Sequence, residues 1–297
     1  MELTPIVLLI RPLPIDAPPA PAHSAAPPHV WQGSRSKTME RIRIEHDGPI
    51  ATIVLDYPAK RNILSSALVA ELVAAFAQFT AAKARVVILR AAPGVKVWSA
   101  GHDIAELPEG RRDPLGWDDP LREVIRTIET FPAPVIALVE GGVWGGAVEL
   151  VLACDMILAT PNTTFAVTPA RLGVPYNMSG MMTFMSAASL RIVRELAFTA
   201  RPIDAARAER VGMINHVLAA EEIDAFALDM AQAIVANAPL SIQAMKEELR
   251  VLAGAKPLTP RGFEKIQGMR RLVYDSRDYV EGLRAFKEKR RPVFTGE

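Results

Sequence analysis

Apolar residues recur along this chain with two different periods, and each switch of period marks where an element begins or ends. Residues 41–45 and 50–55 are β-rich runs separated by Asp47-Gly48, a turn dipeptide, and predict a hairpin. Across residues 67–82, Leu68, Leu72, Ala75, Phe76 and Phe79 fall on one helical face, and Ser65 precedes the run as its cap. Short apolar runs at 86–89, 134–139 and 156–159 predict buried strands, with helices over 121–131 and 147–153 between them. Strands alternating with helices in this way predict a parallel sheet with helical crossovers. Past Arg191 the strand signals thin out, and helices are predicted over 191–198, 205–211, 222–237 and 240–252. From Gly262 onward many charges mix with Phe263, Leu272, Tyr274, Leu283 and Phe286, more apolar side chains than a solvated terminal helix needs. This last segment is expected to dock on a partner subunit.

The amino end is different material. Pro12, Pro14, Pro18, Pro19, Pro21, Pro27 and Pro28 break any regular element, so residues 1–38 are expected to be a disordered tail. The α/β core then spans 39–190 and a helical region 191–297. The apolar run Ile6 to Ile10 is too short for a secretion signal, with Glu2 where a positive flank belongs and Arg11 ending it. No later stretch is long and apolar enough to span a bilayer. A 50% hydrophobic share and a net charge of +1 give no electrostatic reason to expect nucleic acid or an anionic membrane as partner. Cys154 is the only cysteine, which excludes an internal disulfide and a thiolate cluster and fits a reducing, cytoplasmic location. His23 and His29 lie in the tail, His46 at a turn and His216 in a strand-like run; without ligand spacing, no metal is expected.

Two glycine-bearing turns follow apolar strands. The first is Ser99-Ala100-Gly101-His102-Asp103-Ile104, and the second, Gly141-Gly142-Val143-Trp144-Gly145-Gly146, runs into a helix carrying Glu149. Glycine lets a backbone approach a ligand, and the start of a helix presents unpaired N–H groups, so such turns suit a developing oxyanion. Neither turn has the spacing of a dinucleotide fingerprint or of a Walker loop.

These two turns and their separation, the Asn62 turn upstream, the Phe198-Thr199-Ala200 segment running into Gly212, and the closing Ala285-Phe286-Lys287-Glu288-Lys289-Arg290 together resemble the crotonase, or enoyl-CoA hydratase/isomerase, superfamily. The resemblance covers residues 40 to the end. It implies an α/β crotonase-like spiral fold of ββα units with a helical C-terminal trimerisation region, acting on an acyl-coenzyme A thioester. By the same resemblance, the peptide N–H groups of His102 and Gly146 bind the thioester carbonyl oxygen, and Ala100, Gly101, Asp103 and Ile104 line the substrate. Lys289 comes near the CoA phosphates, often from a neighbouring subunit, and Phe286 packs by the adenine. The resemblance further implies a homo-oligomer, a trimer or a dimer of trimers. No permanently bound cofactor is expected, coenzyme A arriving as part of the substrate.

A hydratase needs two carboxylates, one to activate water and one to protonate carbon. Glu149 occupies the first position, but Pro169, which can neither donate nor accept a proton, fills the second beside Thr168. Decarboxylation of a malonyl-type thioester asks for less, because the breaking C–C bond itself delivers electrons to the carbonyl. The stretch Leu172-Gly173-Val174-Pro175-Tyr176-Asn177, the run 106–120, and Ile266-Gln267-Gly268-Met269-Arg270-Arg271 resemble the methylmalonyl-CoA decarboxylases of the superfamily rather than generic hydratases. That resemblance implies conversion of methylmalonyl-CoA to propionyl-CoA and CO2, with Tyr176 orienting the carboxylate and Thr168 as a second polar contact; an ionised Glu149 would repel that carboxylate, so Glu149 is expected to be a structural remnant paired with a polar neighbour. Another crotonase lyase, isomerase or hydratase with a relocated acid stays open, as does a non-enzymatic homologue that binds RNA or protein.

Overall fold

The computed structural model describes residues 37–107, 116–254 and 259–297; the stretch 1–36 expected as a tail, and most of the run 106–120, lie outside the described residues. Lys37–Thr38, placed in the tail by the sequence pattern, form a short strand β1 that pairs antiparallel with β2 (Ile42–Asp47). Two residues carry little apolar signal, but the open edge of β2 offers their backbone groups partners.

β2 and β3 (Ile50–Leu55) form the expected hairpin around Asp47-Gly48. After it comes α1 (Ser66–Ala81), whose first turn is capped by the Ser65 hydroxyl accepting from Leu68 N. A strand-pair pattern then repeats. β4 (Val86–Ala91) and β5 (Val97–Ser99) precede α2 (Pro120–Thr130). β6 (Val135–Val139) and β7 (Gly142–Trp144) precede α3 (Gly146–Leu152), and β8 (Met156–Ala159) is followed by β9 (Thr164–Ala166). In each pair the first strand joins one sheet and the second joins another. The large sheet runs β1-β2-β3-β4-β6-β8-β11 and the small one β10-β9-β7-β5, with β10 at Ile203–Asp204 and β11 at His216–Val217.

β3, β4, β6 and β8 are parallel neighbours, and nearly every residue in them is buried. That is why each reads as a continuous apolar run rather than an alternating one. One face of the large sheet packs on α1 and α2 through Leu68, Leu72, Phe76, Val124 and Ile128. The other packs on α7 (Ile223–Ala236) through Ile223, Ala227 and Ala231. The helical back comprises α4 (Met178–Ala187), α5 (Leu190–Thr199), α6 (Ala205–Arg210), α7, α8 (Pro239–Gly254), α9 (Pro260–Tyr274) and α10 (Arg277–Lys287). α10 docks on the 3-10 turn Pro169–Leu172 at very short range: a Cβ on Gly282 would lie 2.3 Å from the Leu172 carbonyl oxygen. Tyr279, wholly buried, anchors it among Val174, Tyr274 and Leu283.

The small sheet positions the site. Its strands β5, β7 and β9 are parallel, so their carboxyl ends point the same way, and the three loops that leave them converge.

Candidate active site

The loop leaving β5 carries Ala100, Gly101 and His102, and the loop leaving β7 carries Gly145 and Gly146. A short network fixes the first. Asn62, itself at φ 49°, donates its side-chain amide to the Trp98 carbonyl (2.9 Å), and its own carbonyl accepts from the Ser99 hydroxyl (2.6 Å). Leu64 N donates to the Gly101 carbonyl at 2.8 Å. Gly101 has φ 85°, and a Cβ there would sit 2.9 Å from Gly146 N and 2.3 Å from the Trp144 carbonyl oxygen. The two loops are therefore in backbone contact. Among the described residues, neither His102 N nor Gly146 N donates a hydrogen bond within the protein, which leaves both N–H groups for a ligand.

The His102 imidazole is mostly buried and bonded at both nitrogens. Nδ1 lies 3.1 Å from the Asp103 carbonyl oxygen and Nε2 lies 3.0 Å from Asp119 Oδ2. Burial lowers the imidazole pKa, but the hydrogen bond and charge of Asp119, with smaller help from Asp103 and Glu106, leave it above its ordinary value. Asp103 also caps the turn that follows, its Oδ1 accepting from Ala105 N at 3.0 Å.

The loop leaving β9 closes the site. Thr168, Pro169, Leu172, Val174 and Tyr176 face Ala100, His102, Ile104, Leu121, Gly145 and Gly146 across one open cleft lined mostly by apolar groups. Pro169, which can neither donate nor accept a proton, lines it. The Tyr176 ring lies edge-on to Phe184, with centroids 5.0 Å apart, and directly over Gly180, where a Cβ would come within 2.4 Å of the ring. Its hydroxyl is buried and has no hydrogen-bond partner. Burial first, and then the charge of Glu149, push the phenol well above its ordinary pKa.

Glu149 is 1% exposed and is not among the cleft-lining residues. Its Oε1 accepts from Arg122 of α2, while Oε2 makes no well-formed hydrogen bond, and the Tyr176 hydroxyl lies near the carboxyl group. Burial raises the carboxyl pKa, and Arg122 opposes that rise. Removing one partner of a buried pair costs about 3–5 kcal/mol. Glu149→Gln keeps an oxygen for Arg122 but loses the charge, so it should lower the melting temperature while folded protein keeps turnover within about threefold of wild type. Calorimetry with an assay of turnover checks both; an inactive variant of unchanged stability would return Glu149 to the chemistry.

Residues 45–297 match the family model described as enoyl-CoA hydratase/isomerase. The chain belongs to that family. It is 51% identical to the methylmalonyl-CoA decarboxylase of Escherichia coli K12 over 247 residues, 83% of this chain and 95% of that protein. It is 33% identical to the carnitinyl-CoA dehydratase of Salmonella typhi, over 86% of this chain and 99% of the other. Among solved structures, a methylmalonyl-CoA decarboxylase in complex with 2-nitronate-propionyl-CoA superposes with a TM-score of 0.86 at 48% identity, covering 88% of this chain and all of that one. The α/β architecture is thus the crotonase fold that the distributed motifs implied.

Of the residues singled out in the sequence, this family member brings Ala100, His102, Ile104, Gly146, Thr168 and Tyr176 to one cleft. Gly101 lies behind it as a backbone contact. Phe286 and Lys289 stand at the exposed end of α10, outside the cleft lining, Lys289 with φ 54°. Three residues the sequence reading passed over are part of the arrangement: Asp119, Arg122 and Gly180. Asp119 before Pro120 was legible as a helix cap; nothing local signals its reach to His102. Among the described residues no group of three or more His, Cys, Asp or Glu is placed to hold a metal ion, and no single helix is long and apolar enough to cross a membrane.

Proposed function

We propose that this enzyme decarboxylates methylmalonyl-CoA to propionyl-CoA and CO2 through a thioester enolate. The observation that carries the reading is that two N–H donors without partners, at His102 and Gly146, meet in a cleft whose opposite wall is Pro169 rather than a carboxylate. Relationship to the E. coli methylmalonyl-CoA decarboxylase supports it.

The thioester carbonyl oxygen sits between the two N–H groups. When the bond from Cα to the carboxylate breaks, its electron pair enters the thioester π system and the charge moves onto that oxygen. Donors fixed before the reaction stabilise this charge at no reorganisation cost, and one such donor is worth about 2.7–4 kcal/mol in other enzymes. The carboxylate must leave perpendicular to the thioester plane for this overlap. Tyr176 holds it there. A buried hydroxyl without a partner costs about 1–3 kcal/mol, and the substrate carboxylate recovers that cost by accepting from it. Thr168 is a second polar contact on the same wall. Pro169, Leu172, Val174 and Leu121 surround the group with apolar surface and keep bulk water from it. CO2 departs, and the enolate Cα takes a proton to give propionyl-CoA.

Coenzyme A enters only as part of the substrate, and the functional assembly is a homo-oligomer, a trimer or a dimer of trimers. α8 buries no residue and exposes Leu240, Leu249 and Leu252, while α9 exposes Phe263 and Leu272. A neighbouring subunit covers these faces and brings Lys289 and Phe286 within reach of the nucleotide end of CoA.

Product analysis by mass spectrometry over methylmalonyl-, ethylmalonyl-, malonyl- and crotonyl-CoA tests the reaction. Propionyl-CoA with CO2 from the first, and no water added to crotonyl-CoA, is the expected outcome. Absence of CO2 from all three malonyl thioesters would sink the reading. One-methylene discrimination in such a pocket is about 1–3 kcal/mol, so ethylmalonyl-CoA should also turn over, at a rate up to 200-fold lower.

A further inference from the structure

We infer that Asp119 is a positioning residue that holds the His102 imidazole doubly protonated beside the oxyanion site, so that a fixed positive charge assists the enolate; the inference rests on the decarboxylation proposed above. The argument starts from donors and acceptors. The Asp103 carbonyl oxygen, 3.1 Å from Nδ1, can only accept, and Asp119 Oδ2, 3.0 Å from Nε2, accepts as a carboxylate. A neutral imidazole carries one N–H and would turn a lone pair against one of these oxygens. The imidazolium satisfies both.

Asp119 is itself held in place. Its side chain is 4% exposed, and its Oδ1 accepts from Leu121 N at 2.9 Å and Arg122 N at 3.4 Å as the cap of α2. Among the described residues, the charged and titratable groups near the ring are Asp103 and Glu106 on its own loop, Asp119 and Arg122 at the start of α2, Glu149 from α3, and Tyr176 from the loop after β9. Arg122 and Glu149 pair with each other. Asp119 is therefore the anion that balances the ring.

The reaction moves one negative charge from the substrate carboxylate to the thioester oxygen. That oxygen is bound by the peptide N–H of the same residue that carries the imidazolium, and the ring lines the cleft. A cation fixed on that side favours the displacement.

Asp119→Asn separates the charge from the cap, because asparagine caps a helix as well as aspartate. The melting temperature at neutral pH should fall, because a mostly buried charge pair is lost while the cap is kept, and in the folded variant kcat should fall about 10-fold to 100-fold with KM nearly unchanged. The sign of the pH effect follows from the raised imidazole pKa. The imidazolium is complete below the folded-state value and is lost as pH rises through it, so wild-type kcat should decline on the alkaline side and the variant's decline should begin at lower pH. The same linkage stabilises the wild-type fold below the unfolded-state value and disappears as pH rises through the folded one. Nitrogen-15 spectra of the His102 ring, assigned by comparison with His102→Gln, report protonation without any turnover. A wild-type ring that is neutral at pH 7 would overturn the inference even if Asp119→Asn failed to fold. So would an Asn variant with wild-type kcat across the pH range. A wild-type protein that releases no CO2 yet shows the imidazolium fails the proposed reaction instead.

Discussion

Gly101→Ala should abolish detectable decarboxylation and lower the melting temperature. At φ 85° an L side chain is strained, and the added Cβ would lie 2.3 Å from the Trp144 carbonyl oxygen and 2.9 Å from Gly146 N, both backbone atoms that cannot rotate away. The two loops must separate. Separating them pulls the His102 and Gly146 N–H groups out of register with a single oxygen, and losing one such donor elsewhere costs about 10²–10³ in kcat. Gly48→Ala is the control: Gly48 also has positive φ, 55°, but an added Cβ there meets nothing within 4 Å. It should lose about 1 kcal/mol of stability from backbone strain alone and keep full activity. Parallel melting curves and CO2-release assays make the comparison, and equal activity in the two variants would disprove the shared oxyanion site.

Tyr176→Phe should slow turnover about 10-fold to 100-fold without loss of stability. The ring stays packed against Phe184 and Gly180, and the hydroxyl that is removed lies beside Glu149 without a well-formed hydrogen bond inside the protein. Deleting a buried, unsatisfied O–H relieves a cost, so the melting temperature should hold or rise slightly. What disappears is a hydrogen bond to the substrate's charged carboxylate, worth about 1.5–3 kcal/mol. The pattern of falling kcat and steady stability marks a residue that acts on substrate. Falling stability with unchanged kcat would make Tyr176 a packing residue only.

Both predictions depend on positions the sequence marked unequally. Gly101 and Gly146 could be singled out because each follows an apolar strand and the family pattern spaces them together. Tyr176 was distinguished from an ordinary core tyrosine by resemblance alone; its environment explains why. Gly180 is four residues on, one turn into α4, and the helical pattern of residues 178–187, rich in methionine, offers no signal that its missing Cβ seats an aromatic ring.

By itself the sequence determined the longer strands and helices of the α/β front, the cap at Ser65, and that Pro169 cannot carry a proton, and its distributed motifs implied the family. These follow from local rules: period, turn chemistry and which side chains can carry a proton. The short strands β5, β7, β9 and β10 could not be read this way, because two or three residues are too few to show a period and their pairing is supplied by strands far along the chain. Only the tertiary structure decided that the loops after β5, β7 and β9 open on one cleft, that Glu149 turns to Arg122, and that Asp119 reaches His102. The cleft and the Glu149–Arg122 pair join residues from separate turns of the ββα spiral, brought together by parallel pairing in the small sheet, while Asp119 meets His102 within one turn, 17 residues along the chain, where no local period signals the contact.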